Sequence, residues 1–369
     1  MIERLGEFSL LGVRTALREM LGGGHPFHFN EAGRSAARIP YILDRMLRYA
    51  LFAAALALPL AAQTTIQILD QEGKLMEGPA SLAGVTVKIN GAMKTIPLSS
   101  ILSIHTGRPA STYEAGRIEA GINAIQAYTN EIIGSEARRN RDAAVEELTS
   151  IGLPVMTPLL QAYKDTDQHE PRPLYRLFER VMPSDADQLD RQASLIRVAS
   201  GEALRGEIQS MPLKIGASMV DWGRVRRLAV RRATVTRNAE LHSLRHSTQI
   251  EYLDTGVVLS AASLVNAQTT GFVRLSWNVD GWASDADGLK VPGPNYKTNL
   301  VDGHPFGAVV GRVGAAGDVV LVGKQFSGKG LPAGRLHLAV NDNRHWQNNI
   351  GTFRVKLTAT NAYDVGAAQ

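Results

Sequence analysis

The stretch TQIEYLDTGVVLSAASLVNAQTTGFVRLSW, residues 248–277, decides the expected fold of the second half of the chain. Polar and apolar residues alternate along it, and a period of two is the pattern of a half-buried β-strand. The alternation returns in FGAVVGRVG (306–314), GDVVLVG (317–323), GRLHLAV (334–340) and GTFRVKL (351–357). Short strands separated by Gly, Pro, Asn and Asp are typical of a β-sandwich or jelly roll, which we predict for residues 247–361.

The loop between the last two runs is rich in carboxylate and amide side chains. Within VNDNRHWQNNIGTFRVKL (340–357) it carries Asp342, Asn343, Asn348 and Asn349, more than a hairpin turn needs. Calcium takes roughly six to eight oxygen ligands, and Asp342, Asn348 and Asn349 with nearby carbonyls would supply such a set. A single carboxylate neutralises the ion only in part, so sugar hydroxyls could complete the shell. Asn also accepts positive φ in turns, so the loop alone leaves a metal site and a plain turn both open.

The last third of the chain resembles the PA-IL-like bacterial galactophilic lectins, small jelly-roll domains that bind galactosides through calcium. The matching motifs are YLDTGVVLSA leading to TTGFVRL, then FGAVVGRVG, AGRLHLAVNDN and NNIGTFRVKL, between about residues 250 and 357. The most specific element is Asn-Asp, a short gap, and Asn-Asn-x-Gly-x-Phe-x-Val. The resemblance implies a jelly roll with calcium as cofactor and a glycan as partner.

The resemblance also implies a set of metal ligands. In that family one Asp and two Asn side chains bind the calcium ion, and these roles fall on Asp342, Asn348 and Asn349. Two main-chain carbonyls complete the protein ligands. The resemblance places them at Leu275, which follows the run GFVR, and at His345.

Two departures from the family concern the sugar. The loop between Asp342 and the Asn pair is one residue shorter than in the galactose binders. The His and Gln that hold the sugar there align poorly with LKVPGPNYKTNLVDGHP (289–305), where His304, Asn295 or Tyr296 would substitute. The ligand-binding residues that we expect are three loop residues and one histidine: Asp342, Asn343, Asn348 and His304. The sequence does not fix the sugar.

Residues 64–110 and 192–235 predict two small, strongly bent β units, which we interpret as SH3-like. The first contains the alternating run VTVKI followed by Asn-Gly, the signal of a type I′ hairpin turn. A related order of residues returns, because GEALRGEIQSMPLKIGASM (201–219) follows the pattern of GKLMEGPASLAGVTVKINGAM (73–93). The chain as a whole is therefore predicted to be mainly β.

Residues 112–190, between these units, predict a helical segment. DAAVEELTSIG followed by LPVMTPLLQAY resembles one HEAT-like helix pair, with Gly152 ending the first helix and Pro154 starting the second. One pair cannot form a solenoid, because stacking needs about three repeats. We therefore expect a helical insert or spacer.

The segment RMLRYALFAAALALPLAAQ (45–63) has the form of a secretory signal peptide, with two Arg before a short apolar core and two Ala before a polar residue. Its apolar run is shorter than the roughly 20 residues that span a bilayer, and a buried helix is the alternative. Because signal peptides begin chains, we interpret Met46 as the true start, 1–45 as a non-native leader and 46–62 as the signal. We expect a mature protein from about Gln63, without a transmembrane helix, that is secreted or lies in the periplasm or envelope of a bacterium.

Composition and charge argue against several classes of protein. The chain has 369 residues, 44% hydrophobic and 20% charged, which suffices for a buried core. Cysteine is absent, which excludes disulfides, thiolate metal sites and Cys nucleophiles. The net charge is only +5, and the Arg-rich run GRVRRLAVRRATVTR (223–237) has no aromatic residues to stack bases. We therefore expect no nucleic-acid partner, and we interpret the Arg run as a solvated strand face.

No motif indicates an enzyme. GKQFSGKG (323–330) approaches a P-loop, but Gly330 stands where Ser or Thr would hold magnesium, and a strand is predicted after it. SDADG (284–288) lacks the length and the final Glu of an EF-hand loop. G-x-S-x-G and H-E-x-x-H are both missing from the sequence.

Two functions follow from these patterns. The first is a secreted, non-catalytic carbohydrate-binding protein with a calcium-dependent lectin-like domain, for which galactoside-like glycans are the expected partners. The alternative is a structural or interaction protein of the envelope whose jelly roll no longer binds sugar. The oligomeric state is left open.

Overall fold

The described part of the chain is antiparallel β structure with a helical insert. The computed structural model describes residues 64–127, 135–165, 193–276, 282–289, 301, 303–342 and 348–366. Its strands are β1 (Thr65–Asp70), β2 (Leu75–Pro79), β3 (Gly84–Ile89), β4 (Ala92–Pro97), β5 (Ile101–His105), β6 (Ser194–Val198), β7 (Ala203–Ile208), β8 (Leu213–Ile215), β9 (Ser218–Val220), β10 (Val225–His242), β11 (Leu253–Arg274), β12 (Ala283–Ser284), β13 (Val309–Val313), β14 (Val320–Leu321), β15 (Gln325–Lys329), β16 (Gly334–Val340) and β17 (Ile350–Asp364). Its helices are α1 (Thr112–Gln126), α2 (Ser135–Ile151) and α3 (Met156–Asp165). The predicted class, mainly β with a helical insert, is confirmed.

One long strand joins the two halves of the sheet. The sheet runs β14-β13-β16-β11-β17-β10-β5-β6-β7-β3-β4, with β1 paired to β10, β2 paired to β1, and β12 and β15 paired to β11. Within the 18-residue β10, residues 227–229 pair with β5 and residues 231–242 pair with β17. The N-terminal and C-terminal β regions are therefore continuous through β10.

The start of β10 corrects one expectation about the Arg-rich run. Arg226 and Arg227 are buried, with 2% and 6% of their surface exposed, and do not lie on a solvated face. The guanidinium of Arg226 donates to both carboxylate oxygens of Glu114 on α1, at 2.7 and 2.6 Å. The Arg226 charge can be buried because a carboxylate that is distant in the sequence neutralises it.

The N-terminal strands share one hydrophobic core. β3 pairs with β7 and β5 pairs with β6, so strands from 64–110 and 192–235 alternate in one sheet. Ile68, Val87 and Ile104 from the first segment lie in one cluster with residues such as Ile196 and Leu213 from the second. The two segments thus form a single unit in space, and the helical segment is an excursion between β5 and β6.

Local signals in the N-terminal half are mostly found where the sequence predicts them. Asn90 and Gly91 have φ of 49° and 84°, as the predicted type I′ turn between β3 and β4 requires. Gly152 ends α2 with φ of 75°. Pro154 lies in a 3-10 turn, Leu153–Val155, and α3 begins only at Met156, two residues later than expected.

The C-terminal region is a two-layered β-sandwich. β11 belongs to both layers: its residues 253–259 pair with β16, and after a register shift residues 264–268 pair with β15, while β17 pairs with β11 on both sides of the shift. Side chains such as Val257, Val265, Leu338 and Phe353 fill the core between the layers. Because β10 pairs with β17 through residues 231–242, this sandwich also takes in a strand that precedes residue 247.

Some expectations lie outside the described residues. The proposed leader and signal peptide, residues 1–62, are among them, as are Asn295, Tyr296, Asn343 and His345. Within the described ranges, none of the helices is both long enough and apolar enough to cross a membrane.

Candidate functional site: the Asp342 loop

Two of the predicted metal-binding residues, Asp342 and Asn349, meet at one end of the sandwich. Asp342 follows β16, and Asn348 and Asn349 immediately precede β17. Asp342 and Asn349 are buried, with 1% and 2% of their surface exposed. The side-chain amide of Asn349 donates to Oδ2 of Asp342 and, at 3.3 Å, to the carbonyl of Ser243. The loop is thus closed at its base by direct contact between two of the predicted ligands.

Leu275 lies next to this pair. The last antiparallel pair between β11 and β17 joins Arg274 to Ile350, so Leu275 and Asn349 are the next residues on the two strands. The amide of Leu275 donates to the carbonyl of Trp282 at 3.0 Å, which turns the chain after β11. The main chain of Leu275 is therefore at the same end of the sandwich as Asp342 and Asn349.

The oxygen of the Asn349 side chain is a buried acceptor without a donor in the part of the chain that the structure describes. Among the described residues it accepts no hydrogen bond, although the residue is 2% exposed. Leaving a buried polar atom unsatisfied costs about 1–3 kcal/mol. A buried carboxylate and the oxygen of the amide that donates to it are of the donor types that calcium prefers. In donor type, Asp342 and Asn349 therefore fit the implied ion.

Asn341 is a second buried residue of this loop, and sequence reasoning missed it. It is fully buried, and its Oδ1 also accepts no hydrogen bond from the described residues. Its amide donates to the carbonyls of His304 at 3.0 Å and Pro305 at 3.2 Å. Asn341 thereby fastens the 304–305 segment to the loop. Its position directly before Asp342 was visible, but nothing in the sequence showed its partners.

The His304 side chain faces another residue. Its Nε2–H donates to the carbonyl of Val319 at 3.1 Å. The main chain of His304 is held at the loop by Asn341, whereas the imidazole is engaged elsewhere. The main chain of His304 is thus beside the loop, while one of its ring nitrogens is committed to a structural hydrogen bond.

Thr248 and Gln249 clamp the backbone of Asp342 from behind. Thr248 Oγ1 accepts from the Asp342 amide at 3.1 Å and donates to its carbonyl at 3.3 Å. Gln249 Nε2 donates to the same carbonyl at 2.7 Å. Both residues are buried, with 3% and 6% exposure. Because both the amide and the carbonyl of Asp342 are hydrogen-bonded, the positions open to its carboxylate are restricted.

The helical insert reaches this clamp. Arg138 on α2 donates to the carbonyl of Thr248 at 3.4 Å and to Oε1 of Gln249 at 3.2 Å. Arg138 therefore bonds directly to both residues that hold Asp342, and the helical segment is docked on the sandwich.

A buried ion pair further along α2 supports the same docking. Asp142 pairs with Arg312 on β13 at 2.9 Å, and Arg312 also lies 3.8 Å from the centre of the Tyr252 ring. Burial alone would raise the pKa of Asp142, but the guanidinium groups of Arg141 and Arg312 outweigh it and hold this pKa below its usual value. The helix α2 and the sandwich are thus joined by an ion pair as well as by hydrogen bonds.

Other candidate motifs take different forms. In SDADG the carboxylates pair with the ammonium group of Lys324, whose Nζ lies 2.6 Å from Asp285 and 3.6 Å from Asp287. The P-loop-like GKQFSGKG contains strand β15, Gln325–Lys329, and no helix begins there. Among the described residues, no three His, Cys, Asp or Glu side chains are arranged to hold a metal ion. A calcium site here would therefore depend on amide and carbonyl oxygens beside one carboxylate.

Comparison with known proteins shows a likeness to solved structures and to no family model. No family model matches the chain. No curated protein matches it either. A solved chain described as "EclA N-terminal domain; PllA-like lectin" matches with 20% identity and a TM-score of 0.27, over 34% of this chain and 96% of that one. At this identity and score, only the chemistry of the site can carry a functional assignment.

Proposed function

We propose that the C-terminal sandwich is a calcium-dependent carbohydrate-binding domain in which Asp342, Asn348 and Asn349 bind one calcium ion. The observation that supports this most directly is the Oδ1 atom of Asn349, a buried acceptor beside the buried Asp342 carboxylate that accepts no hydrogen bond from the described residues. Buried polar atoms in folded proteins almost always have a partner. A cation bound at this oxygen would provide one.

The chain's own residues would hold and orient the ion. Asp342 contributes the negative charge, Asn349 a neutral oxygen, and Leu275 a main-chain carbonyl from the neighbouring strand end. When bound, calcium would supply open coordination positions for the hydroxyls of a sugar. The clamp of Thr248 and Gln249 fixes Asp342 before the ion arrives, which reduces the ordering that binding requires.

We further propose that the protein is non-catalytic and exported. The signal-like segment 46–62 supports export to the envelope or beyond. Galactoside-like glycans are the proposed partners, on the resemblance of the motifs around Asp342. The sandwich would bind the glycan, while the N-terminal β unit and helices would act as its scaffold.

A structural role without sugar is the second candidate. The hydrogen bond from Asn349 to Asp342 already closes the loop without an ion, as a purely structural loop would require. In that case the sandwich would serve as an interaction module of the envelope.

A glycan array with the purified chain separates the two candidates. We expect binding to a subset of glycans in millimolar calcium and its loss in excess chelator. Calcium titration by calorimetry on the same sample measures the ion directly. Calcium binding without any glycan signal would contradict the proposed carbohydrate binding but support the proposed calcium site. Absence of both would favour the structural role.

A further inference from the structure

A cavity of about 190 Å³ lies inside the sandwich, and none of its lining residues belongs to the Asp342 loop. One layer contributes Val265, Ala267 and Leu357, and the other contributes Val313, Leu336 and Leu338. Protein interiors are normally packed about as densely as organic crystals, with few voids larger than one water molecule. A pocket of this size between two layers therefore has room for a small molecule.

The position of the cavity follows from how the sandwich closes. On one side β11 passes from layer to layer and joins them. On the other side the short strands β14 and β15 pair with β13 and β11 respectively, and within the described residues they do not pair with each other. Phe326 and Leu331, both half-buried, line the cavity near this open edge. The two layers are therefore held less tightly here.

The lining is unsuited to water. A buried water needs about two to four polar partners, and the lining contains two charged residues, Arg312 and Asp318. Nη2 of Arg312 pairs with Asp142 and the guanidinium lies over the Tyr252 ring, Asp318 is exposed, and within the described residues Arg312 Nε is the one lining side-chain donor that is buried without a partner, fewer than a buried water needs. In another protein, an engineered apolar cavity of about 150 Å³ stays dry and binds benzene.

We propose that this cavity is a binding site for a small apolar molecule, on the scale of one aromatic ring or a short branched alkyl chain. The ligand enters at the open edge, past Asp318, Leu331 and Pro332. The Asp318 carboxylate at this edge disfavours anionic ligands, so a neutral ring binds better than a carboxylic acid of the same shape. The proposal is independent of calcium and of sugar.

Thermal unfolding of the full chain with toluene tests the proposal. At about a tenfold excess over the dissociation constant, toluene should raise the melting temperature by about 2–5 °C. Benzoate at the same concentration should raise it less. Spectra of the protein with labelled methyl groups should show toluene shifting Val265, Leu336 and Leu357. A wild-type protein that shows neither a melting shift nor these methyl shifts overturns the proposal.

Two matched substitutions distinguish a real cavity from a packed core. Ala267→Leu places a larger side chain in the cavity, so it should abolish the toluene effect and leave the melting temperature unchanged or higher. Ala359→Leu changes a buried alanine of the same core that does not line the cavity, so it should lower the melting temperature and keep the toluene effect. Equal destabilisation by both would show that no space exists at Ala267. The milder Ala267→Val and Ala359→Val serve if a leucine variant fails to fold.

Discussion

The side-chain amide of Gln249 donates a 2.7 Å hydrogen bond to the main-chain carbonyl of Asp342, 93 residues later in the chain. The other end of the same amide accepts from Arg138 of α2 at 3.2 Å. Gln249 thus joins the helical insert to the loop that carries the candidate metal ligands. A change in the docking of α2 would move the support of Asp342.

The charge of Asp342 should decide calcium binding. Asp342→Asn keeps the shape but removes the only predicted anionic ligand, and amides with carbonyls alone do not offset the dehydration of a divalent ion. Calcium at about a hundredfold excess over its dissociation constant should stabilise the wild type by about 2.7 kcal/mol, seen as a higher melting temperature. Asp342→Asn should show much less of this shift. Asp318→Asn, an exposed carboxylate of the same domain, should behave as wild type. Equal shifts in all three proteins would mean that calcium binds elsewhere.

Loss of the Gln249 side-chain amide should weaken both fold and site. Gln249→Leu removes the donor to the Asp342 carbonyl and the acceptor for Arg138, and should lower the free energy of unfolding by about 1–3 kcal/mol. Calcium affinity should fall with it, because Asp342 is less well held. The control is Gln268→Leu, an exposed position on β11, which should alter neither quantity by much. Denaturant unfolding and calcium calorimetry measure the two effects; an unchanged calcium affinity in a destabilised Gln249→Leu would refute the positioning role.

Removal of the Glu114 charge should destabilise the N-terminal unit. Glu114 and Arg226 form a buried pair, each with side chains 2% exposed. Glu114→Gln leaves a buried guanidinium without its counter-charge and should cost about 3 kcal/mol or more in urea unfolding. Glu119→Gln, on the exposed face of the same helix, should change the stability little. Similar stability of the two variants would show that water or main-chain carbonyls suffice for Arg226.

Acidification should destabilise the protein through His105. Burial, together with Arg227, Arg197 and Arg335, lowers the pKa of His105 to about 3 from 6.5. Below pH 6.5 the unfolded state therefore binds a proton that the folded state excludes, and stability falls as the pH drops towards 3. The loss reaches up to about 2 kcal/mol at pH 5.

A variant isolates this effect from other titrations. His105→Gln can still donate to the carbonyl of Val365, which accepts from Nε2 at 3.3 Å, but it cannot titrate. Its stability should change less between pH 6.5 and pH 4 than that of the wild type. If the stability of wild type and of His105→Gln changed in parallel with pH, His105 would not be the source of the acid destabilisation.

Local signals in the sequence were enough to predict much of the fold. Alternation along 248–277 predicted the strand content of the C-terminal region, Asn90-Gly91 the turn between β3 and β4, and Gly152 the end of α2. Each of these depends on residues within a few positions of one another, where steric and periodic rules apply directly. The spacing around Asp342 also marked the loop as unusual before its partners were known.

Only the tertiary structure decided which distant segments meet. Arg226 appears solvated in the sequence because its counter-charge, Glu114, lies 112 residues away. In the same way, nothing in the sequence near Gln249 or Arg138 indicates that they support Asp342. Every residue has a main-chain carbonyl, so a hydrogen bond to one leaves no mark in the sequence. Local periodicity determines strands, turns and helix ends, whereas strand pairing and buried charge depend on long-range contacts that no short window of sequence contains.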